Sequence, residues 1–181
     1  MKLLSTLITV VSLHAFAADL PQVIIETSMG TIEAELDSEK APVSVQNFLS
    51  YVDSGFYSNT TIHRVVKNFV IQGGGVDKEL NELPTAAPII SEATNGLSNL
   101  KGTLGMARSE DINSATSQFY INTKDNIKLD HTSEKYGYAV FGKVTKGYEI
   151  VEAIENVAVT TVGEYQNVPV EPILILSVRR K

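Results

Sequence analysis

The sequence contains no cysteine and no tryptophan, only three histidines, and no long apolar run beyond its first 17 residues. Without cysteine the chain has no disulfides and no thiol that could receive a lipid, so its core alone must stabilise it. The same absence argues against a structural zinc site, and we expect no metal or other cofactor. No later segment approaches the roughly 20 apolar residues that span a membrane.

The first 17 residues have the pattern of a cleaved secretory leader. A single lysine, Lys2, precedes the uncharged run Leu3 to Phe16, and Ala15-Phe16-Ala17 fits the small-x-small rule for signal peptidase. A membrane anchor is the alternative, but the run is short and lacks a basic flank. We therefore expect an exported product, residues 18–181, without membrane insertion.

The charge balance is acidic, with 15 Lys and Arg against 21 Asp and Glu. Loss of Lys2 with the leader leaves 14 basic residues and a net charge of −7. An acidic surface argues against nucleic-acid binding, which needs a basic face, and against adhesion to anionic lipid.

The length of 181 residues suits one domain. Helical spacing of apolar residues and a proline suited to a first helical turn predict a helix from Pro42 to before Gly55, and a second helix is expected at Tyr148 to Glu155. Strands are predicted at 23–27, 31–36, 61–72, 102–108, 117–122, 138–144 and 173–179, with a long surface loop at 76–101. This pattern favours a mainly antiparallel β domain that closes into a barrel.

One segment, residues 62–75 (IHRVVKNFVIQGGG), places a cation and an amide in an otherwise apolar strand that ends in three glycines. Arg64 and Gln72 must reach solvent in a concave site or be paired inside, because an unpaired buried charge is costly. The sequence thus predicts a binding surface here, with a structural ion pair of Arg64 as the alternative.

Residues 62–75 resemble the signature segment of the cyclophilins, a family of peptidyl-prolyl cis/trans isomerases. Residues 105–108 and 114–121 resemble a second block of that family, 138–144 a third, and 40–48 its first helix. The resemblance covers nearly the whole chain after the leader and implies a closed eight-stranded antiparallel β-barrel capped by two α-helices. It is strongest for the bacterial exported branch, which implies a periplasmic location.

The resemblance also implies roles for eleven residues. Three would be catalytic: Arg64, Phe69 and Gln72. The others would bind substrate: Val70, Met106, Tyr120 and Leu129 as walls of a proline pocket, Ala107, Arg108 and Gln118 in the groove for residues before the proline, and Tyr138 at the rim. For Phe69, Met106, Tyr120 and Leu129 ordinary core packing is the alternative interpretation.

Four positions depart from the common family pattern. Val70 replaces a methionine and slightly opens the pocket wall, while Tyr120 replaces a phenylalanine and adds a hydroxyl that needs a partner or water. Lys128 stands where vertebrate members have a tryptophan that contacts cyclosporin, and Tyr138 replaces a histidine. The resemblance therefore implies intact isomerase activity with weak cyclosporin binding.

The function implied is isomerisation of X-Pro bonds in proline-containing polypeptides, assisting the folding of exported proteins, by a monomer. A proline-peptide binding module or chaperone with little turnover is the alternative. A covalent hydrolase is disfavoured because the polar loop with Asp130, His131 and Ser133 lacks a Gly-x-Ser-x-Gly elbow. Residues 137–143 have the spacing of a phosphate-binding loop, but Val144 lacks the hydroxyl that binds magnesium.

Overall fold

An antiparallel sheet that curls strongly on itself forms the body of the protein in the computed structural model, which describes residues 20–181. The predicted leader, residues 1–17, lies outside the described residues. The strands are β1 (Gln22–Thr27), β2 (Gly30–Leu36), β3 (Thr60–Thr61), β4 (Arg64–Val66), β5 (Val70–Gly73), β6 (Thr103–Met106), β7 (Phe119–Asn122), β8 (Val140–Lys146), β9 (Val159–Val162), β10 (Tyr165–Pro169) and β11 (Leu174–Arg180). The helices are α1 (Pro42–Asp53) and α2 (Tyr148–Glu155), with a 3₁₀ turn at Ile127–Leu129.

The main sheet has nine strands in the order β3-β11-β1-β2-β8-β6-β7-β5-β4. The sheet closes on itself, because β3 at one end binds the segment that follows β5 near the other end: Thr61 N donates to Val76 O at 3.0 Å and Gly74 N donates to Thr61 O at 3.2 Å. The barrel predicted from the sequence is confirmed, and the count of nine rather than eight includes the two-residue strand β3.

The core follows the apolar periodicity of the sequence. In β2 Ile32, Ala34 and Leu36 are buried, as their alternation predicts, while the residues between them are more exposed. From α1, Phe48 contacts the rings of Tyr57, Phe119 and Phe141 at centroid distances of 5.2, 5.4 and 5.3 Å. Aromatic rings bury large apolar areas, so this group joins α1 to the barrel wall.

Two parts of the strand pattern differ from the prediction. The single strand expected at 61–72 is three short strands, because Asn68 adopts a positive φ of 56° and turns the chain between β4 and β5. The β9–β10 hairpin was not predicted, because the residues of β9 are all exposed and so carry no apolar alternation. No helix among residues 20–181 is both long and apolar enough to cross a membrane.

Candidate active site

Arg64 and Gln72 lie opposite each other in the β4–β5 hairpin. Directly opposed residues of an antiparallel pair project from the same face, so their side chains meet. Arg64 Nη1 donates to Gln72 Oε1 at 3.1 Å. The turn at Asn68, rather than the alternation expected within one strand, therefore brings the two predicted residues together.

Gln72 in turn donates from Nε2 to Gln118 Oε1 at 2.9 Å. Gln118 precedes β7, the strand that pairs with β5, and its side chain lies over Gly75. A Cβ at Gly75 would stand 2.3 Å from Gln118 Cγ, which real contacts do not allow. The third glycine of the signature segment thus leaves room for the glutamine that orients Gln72.

Beside this chain of hydrogen bonds lies a cavity of about 200 Å³. It is lined by Arg64, Phe69, Val70, Gln72, Ala107, Arg108, Tyr120, Leu129 and Tyr138. All nine are among the eleven residues predicted from the sequence. Typical small-molecule pockets measure about 300–1,000 Å³, so the size of this cavity suits a single side chain.

The other two predicted residues lie outside that lining. Met106 is 2% exposed and belongs to the apolar core. Gln118 borders a neighbouring groove of about 350 Å³, which also contains Gln72, Ala107 and Arg108. The groove and the cavity therefore share one wall, and a peptide could occupy both. The role of Met106 as a pocket wall stays a prediction.

The Arg64 guanidinium carries an unpaired positive charge at the edge of the cavity. Among residues 20–181 no carboxylate lies within 4 Å of it, so the ion-pair alternative does not describe this side chain. Burial lowers the pKa of Arg64, although a guanidinium stays charged at any working pH. Its Cζ atom lies 5.9 Å from the centroid of the Phe69 ring, a cation–π contact.

Arg108 fixes the opposite rim of the cavity. Its Nε and Nη2 donate to Gly137 O at 3.2 and 2.8 Å, and its Nη1 donates to Ser109 O at 2.8 Å. The guanidinium also stacks over Tyr138, with Cζ 4.4 Å from the ring centroid. These contacts use most donors of Arg108, so it holds Tyr138 in place rather than presenting a free charge.

The Tyr120 hydroxyl, for which the sequence predicts a need for a partner, donates to Asn99 Oδ1 at 2.6 Å. Burial raises the pKa of Tyr120, so the hydroxyl remains a donor. Sequence reasoning missed Asn99 because it is an isolated polar residue in the 76–101 loop. The sequence signal for Asn99 was indirect: a tyrosine in an apolar strand needs a hydrogen-bond partner for its hydroxyl, but the pattern does not identify that partner.

His63 lies outside the cavity, against the Tyr165 ring at a centroid distance of 6.1 Å. It is 5% exposed, and burial lowers its pKa to about 4, so the ring is neutral at pH 7. Its Nδ1 has no hydrogen-bond partner among residues 20–181. Within residues 20–181 no three His, Asp or Glu side chains are placed to hold a metal ion.

A comparison with family models gives a match over residues 22–180, described as cyclophilin type peptidyl-prolyl cis-trans isomerase. The chain belongs to this family. This cyclophilin is 49% identical to peptidyl-prolyl cis-trans isomerase A of Dickeya dadantii, over 98% of this chain and 96% of the relative. It is 51% identical to a peptidyl-prolyl cis-trans isomerase of Acinetobacter baylyi, over 94% of this chain and 90% of the relative.

Solved structures agree with this assignment. A cyclophilin from Cryptosporidium parvum, crystallised in the presence of the dipeptide Ala-Pro, superposes on this cyclophilin with a TM-score of 0.74. The two share 28% sequence identity over 88% of this chain and 98% of that one. The protein is accordingly a peptidyl-prolyl cis-trans isomerase that acts on proline-containing peptides.

Proposed function

We propose that this cyclophilin binds the proline ring in the 200 Å³ cavity and that Arg64 stabilises the twisted X-Pro amide. The observation that supports this assignment is a half-buried guanidinium, without a carboxylate partner, beside a cavity of single-residue size. Phe69 and Gln72 complete the catalytic set, and Val70, Tyr120, Leu129 and Tyr138 form the rest of the pocket.

The chemistry requires no nucleophile. Rotation about a peptide bond breaks amide resonance, which costs about 18–20 kcal/mol, and the twisted amide nitrogen regains its lone pair. A guanidinium N–H is a suitable donor to that nitrogen, and Arg64 has N–H groups beyond the one that Gln72 accepts. Because the planar amide offers no such lone pair, the contact favours the transition state over the ground state.

Gln72 and the neighbouring groove supply the positioning. Gln72 fixes the guanidinium, and Gln118 fixes Gln72. The groove shared by Ala107 and Arg108 receives the residues before the proline. Holding the peptide on both sides of the rotating bond leaves only that bond free to turn, which lowers the entropic part of the barrier.

We also infer an envelope location, where the enzyme would assist folding of exported proteins. The leader pattern of residues 1–17 supports this inference. Expression of the full chain in a bacterium with a periplasm should yield a product that starts at Ala18 in the periplasmic fraction. Uncleaved protein in the cytoplasm would contradict the inference.

The activity test follows the cis-to-trans rate of a short Ala-Pro peptide with purified protein that starts at Ala18. We expect Arg64→Ala to lose about 10²-fold or more in turnover, by analogy with removal of one preorganised electrostatic donor. The control is Arg179→Ala, because Arg179 is exposed and pairs with Glu26 at 3.6 Å on a strand outside the site.

Circular dichroism should give the same spectrum for all three proteins. An Arg64→Ala protein that isomerises at the parent rate would overturn the role of Arg64. Equal losses in both arginine variants would show that general charge, rather than this site, is what matters. Peptide binding by the parent without acceleration would leave a binding module with little turnover.

A further inference from the structure

A group of polar side chains lies directly behind the wall of the cavity. We call it the polar cluster, and its members are Ser98, Asn99, Asn122, Asn126 and Asp130. Asn99, Asn122 and Asn126 are at most 5% exposed, and Asp130 is the charged member. Buried polar groups are costly unless hydrogen-bonded, so the arrangement of these side chains is closely constrained.

The carboxylate of Asp130 orients Asn99. Asp130 Oδ1 accepts from Asn99 N at 2.7 Å and from Asn99 Nδ2 at 2.8 Å, and Oδ2 accepts from the Ser98 hydroxyl. Burial disfavours the charged form, but these donors outweigh it and lower the pKa of Asp130. With its amide nitrogen bound to the carboxylate, Asn99 must present its Oδ1 to the other side.

The side of Asn99 that carries Oδ1 faces Tyr120, which forms part of the cavity wall. Asn99 Oδ1 accepts from Tyr120 Oη at 2.6 Å and from Asn122 Nδ2 at 3.2 Å. The Tyr120 ring reaches Asn99 by crossing Gly105, its partner in the β6–β7 pair. A Cβ at Gly105 would lie 2.2 Å from Tyr120 Cζ, so this path requires glycine.

Two further walls connect to the same cluster. Asn126 Nδ2 donates to Phe69 O at 2.7 Å, and Leu129 N donates to Asn126 O at 2.7 Å. Tyr138 N then donates to Leu129 O at 2.9 Å. The backbone of Phe69, the ring of Tyr120 and the segment that carries Leu129 are thus all held by neighbouring members of one network.

We propose that Asp130 is a positioning residue for the proline pocket, acting through Asn99 on Tyr120. It does not line the cavity and makes no contact with Arg64. Its role is to keep the pocket in the shape that accepts a proline ring. This proposal rests on the proposed function, which places the proline in that cavity.

Substitution of Asp130 by asparagine is the sharpest test, because it preserves size and removes the charge. Both Asn99 donors bind the same oxygen, Oδ1, so the new amide can keep that oxygen in place and turn its NH₂ group to the Ser98 hydroxyl, which can also accept. The two bonds to Asn99 then lose their charge assistance and weaken, so Asn99 holds the Tyr120 hydroxyl less firmly. The pocket wall loosens, while Arg64 and Gln72 remain in place.

A looser pocket weakens the binding of the peptide equally in its planar ground state and in its twisted transition state. Loss of Arg64 instead weakens only the binding of the twisted state. Asp130→Asn should therefore weaken binding of an Ala-Pro peptide about threefold to tenfold, the range for the net contribution of one hydrogen bond, with on-enzyme exchange changed less than twofold. NMR exchange spectroscopy combined with a titration measures the two quantities separately.

Asp125→Asn is the matched control. Asp125 is an exposed acid on the same loop, and its carboxylate accepts from Lys101 N at 2.8 Å, outside the cluster. The Asp125→Asn variant should bind the peptide as the parent does.

A second experiment tests the route through the Tyr120 hydroxyl. In a Tyr120→Phe background, Asp130→Asn should reduce peptide affinity by less than it does in the parent, because the hydrogen bond from Tyr120 to Asn99 is already absent.

The outcomes separate this proposal from the proposed function. If Asp130→Asn binds the peptide as tightly as Asp125→Asn while Arg64→Ala is slow, the positioning role is wrong and the proposed function stands. Fully additive effects of Asp130→Asn and Tyr120→Phe would overturn the route through Tyr120. If Arg64→Ala exchanges at the parent rate, the proposed function itself fails.

A second variant covers the case in which Asp130→Asn folds poorly. Ser98→Ala removes one donor to the Asp130 carboxylate and should weaken peptide binding in the same way, to a smaller degree.

Discussion

Arg64 and Gln72 form a cross-strand pair in which the glutamine carbonyl oxygen accepts from one guanidinium nitrogen at 3.1 Å. This bond fixes the plane of the guanidinium and leaves its other donors facing the cavity. Lysine at this position would carry the same charge, but on a compact ammonium group at the end of a flexible stem. It would lack the planar set of N–H donors that a guanidinium presents.

Arg64→Lys should therefore be nearly as slow as Arg64→Ala, with turnover reduced on the order of 10²-fold. The assay is the cis-to-trans rate of an Ala-Pro peptide, measured beside Arg179→Lys. Activity of Arg64→Lys within threefold of the parent would mean that charge alone suffices.

Gln118 tests the next step of the same chain of hydrogen bonds. Gln118→Leu removes the acceptor for Gln72 Nε2 at 2.9 Å and keeps a side chain that extends to Cδ over Gly75. A neutral hydrogen bond contributes about 0.5–1.5 kcal/mol, so the catalytic efficiency, kcat/KM, should fall about twofold to tenfold. An unchanged kcat/KM would show that Gln72 is oriented without Gln118.

Gly105 is predicted to be intolerant of any side chain. The Cβ of alanine would lie 2.2 Å from Tyr120 Cζ and 2.3 Å from its hydroxyl, and the ring is held by Asn99. Overpacking of this kind costs about 1–3 kcal/mol. Urea unfolding of Gly105→Ala should show that loss, together with weaker peptide binding. A variant as stable as the parent would mean that the ring has room to move.

His63 should make stability depend on pH. Its pKa is about 4 in the folded protein against an ordinary 6.5, so the unfolded chain takes up a proton between these values and the folded one does not. The stabilisation is complete above pH 6.5 and is lost as pH falls toward 4. Between pH 7 and pH 5 this linkage predicts a loss of about 2 kcal/mol in the free energy of unfolding.

Urea unfolding at the two pH values measures that loss, and His63→Gln should remove it, since glutamine does not titrate. Both pH values lie above the ordinary pKa range of carboxyl groups, so carboxyl titration contributes little to the difference in stability between them. A parent and a variant with the same pH dependence would show that His63 is already protonated in the fold or lies open to water.

Cyclosporin binding tests the exposed side of the pocket. Lys128 lies on the exposed face of the 3₁₀ turn, next to Leu129, which lines the cavity. Lys128→Trp would offer an aromatic face at the rim and should tighten cyclosporin binding about tenfold, as one aromatic contact contributes roughly 1 kcal/mol or more. Calorimetry against Lys124→Trp, an exposed control before the same turn, measures the effect. Equal affinities for both would place the contact elsewhere.

Local patterns predicted much of the fold. The bounds of α2, Tyr148–Glu155, agree with the prediction, and the strands predicted at 23–27 and 31–36 correspond to β1 and β2. The segment 61–72 was wrong as a single strand, because the apolar residues on both sides of the turn read as one continuous run. The exposed pair Lys67-Asn68 was the signal of a turn, since asparagine tolerates a positive φ.

The site was predictable to a different degree. Arg64 and Gln72 stood out from their own segment, because charge and amide are rare in an apolar strand. The other lining residues came from the resemblance to the cyclophilins, since without it Phe69 and Leu129 look like ordinary core. The polar cluster was not predictable, because Asn99 and Asp130 are 31 residues apart and no spacing rule joins two loops.

Strand β11 lies between β1 and β3, and without it these two strands have no contact in the sheet. Residues 174–180 also follow every other described strand in the chain, so a ribosome, at about 5–20 residues per second, adds them after the rest of the barrel. Until then the barrel has a gap, and two strand edges are free to pair with other chains. An enzyme that speeds the isomerisation of X-Pro bonds in other chains must therefore wait for β11 before its own barrel closes.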